Sequence, residues 1–168
     1  MKKNKIMQSK ILLVISIILI GIGIFKPNLS NNSVVRLTIP SHTNIDKPTD
    51  PVLVEACQRV IKAFGSGVDR KNDGIILSNL YSDLAILISL DGEDKIITNT
   101  KEISEANAIS GSFLKLNLKG KYPELADAAK ALVVAAIGED IVELDQNLRN
   151  KAVDAFYALS WACAEGAK

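Results

Sequence analysis

A lysine-flanked apolar run near the start of the chain constrains this protein more than any other feature. Residues 11–25, ILLVISIILIGIGIF, contain one polar side chain and no charge. Four lysines precede the run, Lys26 follows it, and no acidic residue stands among the first 26 positions. A helix that is apolar on every side does not lie on the surface of a soluble domain. Residues 1–26 therefore predict a membrane-targeting segment.

The length of the run lies at the border between a retained anchor and a removed signal peptide. A transmembrane helix needs about 20 apolar residues, whereas the apolar part of a signal peptide has about 7–15. Lysines at both ends lengthen a short span by snorkelling. The nearest small-residue match to a cleavage site, Gly21-Ile22-Gly23, lies inside the run. We expect an uncleaved signal anchor, with cleavage as the alternative.

Charge predicts how the segment is oriented. Lysine-rich flanks stay on the cytoplasmic side, so the N-terminus is expected inside and the remaining chain outside. The first 26 residues hold five lysines and no acid, and the whole chain carries +1, so the remainder carries −4. Nucleic-acid-binding proteins show clustered basic residues instead. We therefore expect no nucleic-acid partner.

The chain after the segment divides into a linker and one domain. Residues 27–50 contain three prolines among Asn, Ser and Thr, which predicts an extended polar linker. Residues 51–168 have the length of a single domain, and helical periodicity dominates them. The predicted helices run from Asp50 to Gly65, Asp73 or Gly74 to Asp91, Asn99 to Gly120, Pro123 to Gly138, and Asp145 to Gly166.

These helices predict an all-α fold: an N-terminal single transmembrane helix, a polar linker and a compact bundle of about five helices. Asp50 as N-cap followed by Pro51 at the first helical position is the sharpest start signal. The fourth helix is rich in alanine, and small side chains allow close helix approach. We expect this helix to be the central one.

Nucleophilic and zinc chemistry lack suitable residues. The single histidine, His42, falls in the linker, where no rigid scaffold holds it. Two cysteines far apart and one histidine do not have the spacing of a zinc site. The loop 69–74 begins like a calcium-binding loop, but Lys71 and Leu80 stand where such a loop needs oxygen ligands.

Acidic residues cluster before the fifth helix. Glu139, Asp140, Glu143 and Asp145 stand close together in the chain. Paired carboxylates act as acid and base only in a cleft that shifts one pKa, whereas these residues fall between two helices and are expected in water. We expect no catalytic, cofactor or metal site, and hence no enzyme.

Cys57 and Cys163 lie on the apolar faces of the first and last predicted helices. One interpretation is two buried cysteines that act as small apolar side chains. The other is a disulfide that joins the two ends of the domain, which an extracytoplasmic location permits. The sequence does not give their separation, so both interpretations stay open.

Tyr157 and Trp161 are four residues apart and therefore lie on one side of the last helix. Aromatic side chains on one helix face are typical of a contact patch for a protein partner. The alternative is that Trp161 fills the core and Tyr157 lines its edge.

The order of segments resembles that of a known group of proteins. The chain carries DPVLVEACQRVIKAF, then DGEDKIITNTKEISEANAISG, KGKYPELADAAKALVVAAIGED and LRNKAVDAFYALSWACAEG. In these segments it resembles small uncharacterised membrane-anchored proteins of marine tailed bacteriophages, cyanophage-like viruses among them. The resemblance implies a phage gene that acts at the host membrane or in the particle, and it implies no activity.

The sequence as a whole favours a membrane-anchored, helical protein-interaction module. Residues 11–25 would contact the bilayer of the bacterial inner membrane, with the N-terminus cytoplasmic and the domain periplasmic, facing a protein partner. Two alternatives remain: a structural or accessory protein of the virion, and a small envelope-active enzyme.

Overall fold

The described part of the chain is helical. The computed structural model describes residues 45–90, 100–138 and 146–168. Its helices are α1 (Pro51–Ala63), α2 (Ile75–Leu90), α3 (Thr100–Leu116), the single turn α4 (Leu118–Lys121), α5 (Pro123–Ile137) and α6 (Gln146–Gly166). Five long helices in one compact bundle confirm the predicted all-α domain.

The predicted membrane segment, residues 11–25, lies outside the described residues. Among the helices that the structure describes, none has the length and apolar character needed to cross a bilayer.

The start of α1 follows the predicted capping pattern. The side chain of Asp50 accepts a hydrogen bond from the backbone N–H of Val52 at 2.8 Å, and Pro51 occupies the first helical position. This arrangement satisfies one of the free N–H groups at the helix start. The helix ends at Ala63, and a turn leads to Gly67, whose φ of 94° is left-handed. Glycine adopts that conformation without steric cost.

The sequence predicts that the second helix begins at Asp73 or Gly74, and α2 begins at Ile75. One turn of π-helix, Arg70–Gly74, precedes it, and the cap of this turn is Asp69. Its carboxylate accepts from the backbone N–H of Asn72 at 3.1 Å. Asp73 lies within this turn, and its side chain faces another part of the chain.

The central helices are α2 and α6. Every side chain from Leu77 to Ile88, and every one from Ala155 to Gly166, is buried or half-buried. The two helices are antiparallel and approach closely at a pair of serines. Ser78 Oγ donates to the carbonyl oxygen of Ser160 at 2.9 Å, and Ser160 Oγ donates to that of Ser78 at 2.6 Å. Each buried hydroxyl is thereby satisfied.

The alanine-rich helix α5 is not central, contrary to prediction. It packs against α1 and α6, while Asp127, Lys130 and Ala131 remain exposed to solvent. Alanine content indicates how closely a helix can be approached, but it does not indicate how many neighbours surround it. The apolar character of α2 on all sides was the better signal, since such a helix is buried on all sides.

Three aromatic rings hold α2, α3 and α6 together. The ring of Tyr81 lies 5.3 Å from that of Phe113 and 6.1 Å from that of Phe156, measured between centroids. All three side chains are buried. Ring pairs at such separations add about 0.5–1.5 kcal/mol beyond the burial of apolar area.

Two glycines accommodate the ring of Phe64 at the end of the bundle where α6 finishes. A Cβ atom placed on Gly166 would lie 2.5 Å from Cδ2 and 2.6 Å from Cγ of this ring, and one on Gly74 would lie 2.8 Å from Cε1. Phe64 is almost completely buried. The ring therefore has little freedom to move away.

Gly166→Ala is expected to lower the free energy of unfolding by about 1–3 kcal/mol, because overpacking forces the Phe64 ring or the helix to shift. Gly65→Ala is the matched control, since nothing lies within 4 Å of its added Cβ atom. We expect this control to change stability by about 0.5 kcal/mol or less. Guanidinium unfolding followed by circular dichroism measures both. Equal losses in the two variants would contradict the packing described here.

Candidate functional site

The two cysteines lie in the core on neighbouring helices. Cys57 on α1 and Cys163 on α6 are fully buried free thiols. Cys57 Sγ donates a hydrogen bond to the carbonyl oxygen of Ala158 at 3.4 Å. Both therefore occupy the inward helix faces on which the sequence placed them. The disulfide stays a prediction.

The surroundings of these thiols keep them protonated. Burial raises the pKa of Cys57 to about 11. Burial also raises the pKa of Cys163, and the neighbouring Cys57 adds to the effect. Burial and the nearby Cys163 raise the pKa of the Tyr81 hydroxyl as well. Because the thiolate is the reactive form, neither thiol is a nucleophile while the bundle is closed.

Tyr157 and Trp161 lie partly at the surface. Both are half-buried on α6 and pack against the core. Trp161 does not fill the core, because it is only half-buried. Phe156 and Leu159 are fully buried side chains on the same helix. Tyr157 and Trp161 are therefore each partly accessible to a partner. The partner contact itself stays a prediction.

An exposed apolar pair at the start of α2 was missed by the sequence. Ile75 is 52% exposed and Ile76 is 44% exposed. Periodicity placed Ile76 on the inward face together with Leu77 and Leu80. That assignment was wrong because Ile75 and Ile76 form the first turn of α2, at the very end of the bundle. A capping residue directly before Ile75 would have marked the start of α2 in the sequence. The cap, Asp69, is instead separated from Ile75 by the π-turn.

A polar network joins the π-turn to the joint between α4 and α5. Asp73 Oδ2 accepts hydrogen bonds from Lys121 Nζ at 2.7 Å and from the Tyr122 hydroxyl at 2.6 Å. The Tyr122 oxygen accepts in turn from the backbone N–H of Asp69 at 3.4 Å. The network fixes two loops that are far apart in the sequence. Its charge-assisted hydrogen bonds are of the stronger kind.

This network borders a small surface depression of about 100 Å³. The lining residues are Ala63, Val68, Lys121, Tyr122, Pro123, Glu124 and Leu125. The hydrogen bonds from Lys121 and Tyr122 hold the pKa of Asp73 below its usual range. The hydrogen bond to Asp73 raises the pKa of Lys121. Since the carboxylate and ammonium groups satisfy each other, the network is structural in character.

Asp73→Ala is expected to cost about 1.5–3 kcal/mol of unfolding free energy near neutral pH, because two donors lose a charged acceptor. The pKa of Asp73 is lower in the native state, so its stabilisation is complete above the ordinary pKa of about 3.9 and is lost as the pH falls through the native value. The difference between wild type and variant should therefore shrink from about pH 4 downward.

Urea unfolding at a series of pH values measures this difference. The matched control is Asp127→Ala, since Asp127 is exposed on α5 and outside the network. We expect the control to change little at any pH. A wild-type advantage over Asp73→Ala that is missing at pH 7 would show that the network does not stabilise the bundle. An advantage that is undiminished at pH 3 would show that the stabilisation does not come from the ionised carboxylate.

The structure describes only part of the remaining candidates for chemistry. The described residues contain no group of three or more side chains suited to hold a metal ion. The loop 69–74 forms the π-turn instead of a calcium loop, and Asp73 there is paired with Lys121. His42, Glu139, Asp140 and Glu143 lie outside the described residues.

Comparisons with known proteins identify no relative of this chain. No model of a known protein family, no curated protein and no solved structure matches this chain.

Proposed function

We propose that this protein is a membrane-anchored, helical protein-interaction module of the bacterial envelope. The observation that carries the proposal is the lysine-flanked apolar run at 11–25, followed by a proline-containing linker and a bundle that forms its own core. An apolar run without a polar side is suited to a bilayer, and the lysines before it keep the N-terminus cytoplasmic. The bundle then lies in the periplasm.

The bundle supports the proposal because its core is self-contained. All core side chains of the described residues fall between Leu53 and Cys163. A domain of this kind folds around its own apolar side chains and leaves the run at 11–25 free to contact lipid. The linker of 27–50 can reach about 80 Å when fully extended, which is sufficient to hold the bundle clear of the lipid headgroups.

Large side chains that are exposed or half-buried supply the proposed partner surface. Tyr157 and Trp161 on α6 are half-buried, and Ile75 and Ile76 at the start of α2 are exposed. Tyrosine and tryptophan are enriched among residues that dominate the energy of protein interfaces. A protein partner is therefore the proposed ligand. The resemblance to phage proteins suggests host envelope machinery or a phage component as the class of partner.

Fractionation of bacteria that express the full chain tests the proposal. We expect the protein in the inner-membrane fraction, retained through high-salt and alkaline washes and released by detergent. Its intact mass should include residues 1–26. A full-length protein found in the cytoplasmic fraction would overturn the proposal, and a shortened protein in the soluble periplasmic fraction would replace the anchor by a cleaved signal.

A further inference from the structure

The only two cysteines of the chain are buried in the core on neighbouring helices, and Cys57 contacts the helix that carries Cys163. We propose that Cys57 and Cys163 are a redox pair that forms a disulfide during folding and that is closed to thiol exchange once the bundle has formed. The folded protein would then keep the thiol state in which it folded. This inference concerns the domain itself and stands whether or not the chain is anchored.

The contact made by Cys57 places its sulfur near the part of α6 that carries Cys163. The hydrogen bond from Cys57 Sγ to the carbonyl oxygen of Ala158 places this sulfur against α6, about one and a half turns before Cys163. Carbonyl groups of a helix point toward its C-terminus, whereas Cα–Cβ bonds tilt toward its N-terminus. Both directions shorten the separation along the helix axis. The influence of Cys57 on the pKa of Cys163 agrees with this proximity.

Burial prevents exchange in the closed bundle. Neither residue has any exposed surface, so an external disulfide has no access to either sulfur. Exchange also requires a thiolate, and both thiols are held protonated. α1 must separate from α6 before either sulfur can react, and that separation removes Cys57, Val60 and their neighbours from the core.

The chemistry balances with a small disulfide as oxidant. In the open chain the thiolate of one cysteine attacks a sulfur of oxidised glutathione, and a mixed disulfide forms with release of one glutathione thiolate. The second cysteine then displaces the other glutathione and closes the bond between Cys57 and Cys163. Two thiols lose two protons and two electrons, and one glutathione disulfide becomes two glutathione thiols.

The test compares native and refolding full-length protein in mild detergent with oxidised glutathione at one pH. In the first arm the reduced, folded protein is incubated directly. In the second it is unfolded in guanidinium and refolded in the same mixture. Thiols are then counted by alkylation and intact mass, and the linked residues by peptide mapping. We expect two thiols after the first arm and a native, helical product linked between Cys57 and Cys163 after the second.

Control variants and contrary results keep the test decisive. Cys57→Ala and Cys163→Ala each retain one thiol, so the refolding arm should yield a glutathione adduct or a linked dimer instead of an internal bond. Oxidation of the native wild type as fast as that of the unfolded chain would overturn closure to exchange. Refolded protein with free thiols, with glutathione adducts, or with an internal bond but without native helicity would overturn the pairing.

Discussion

Phe156→Ala is expected to lower the free energy of unfolding by about 3–5 kcal/mol, the range for loss of a buried aromatic side chain. Phe156 has no exposed surface, and its ring stacks on that of Tyr81 at 6.1 Å. The substitution leaves a cavity between α2 and α6, the two central helices. Because a domain has only about 5–15 kcal/mol of stability, this loss is a large part of the total. Guanidinium unfolding followed by circular dichroism measures it.

The neighbouring residue provides the matched control for that substitution. Tyr157 follows directly on the same helix but is only half-buried. We expect Tyr157→Ala to cost less than half as much stability as Phe156→Ala, because part of its ring already contacts water. If the two variants lost equal stability, the orientation of α6 in the bundle would be wrong.

Leu13→Arg combined with Ile18→Arg is expected to have the largest effect on location. An arginine near the centre of a membrane helix, as at Ile18, costs about 2.5–3.5 kcal/mol on insertion scales, and one at Leu13, closer to the flank, costs less. Two of them in a run of borderline length should move most of the protein from the membrane fraction to the soluble fraction. Immunoblots of separated fractions measure the distribution.

Leu13→Ile combined with Ile18→Leu is the matched control for the charged variant. It keeps the size and apolar character of the run, so we expect its distribution to equal that of the wild type. A charged variant that stays in the membrane fraction would show that residues 11–25 are not the anchor.

Local signals predicted the helices well because their causes are local. Asp50 caps α1 through a hydrogen bond to a residue two positions away, and a pattern of that kind is visible in the sequence. The inward positions of Cys57 and Cys163 follow from helical periodicity alone. The prediction of a bundle of about five helices came from patterns of this kind, taken one after another along the chain.

Features that depend on the arrangement of helices were not predictable in this way. Aspartate is a residue type that often caps a helix. The partners of Asp73, however, are Lys121 and Tyr122 at the joint between α4 and α5, and no spacing rule in the sequence connects them to Asp73. The exposure of Ile76 depends on which elements pack against the first turn of α2, and spacing in the sequence does not give this. Likewise, the central position of α6 depends on which helices surround it.

We propose a periplasmic bundle held by a retained anchor, and a single fusion protein tests both its location and its anchoring. Alkaline phosphatase, which is active only where its disulfides form, is fused after Lys168 and assayed in bacterial fractions. We predict phosphatase activity that stays with the washed inner membrane. Activity in the soluble periplasmic fraction would show that the anchor is removed, and an inactive fusion in the cytoplasm would show that the bundle is not periplasmic.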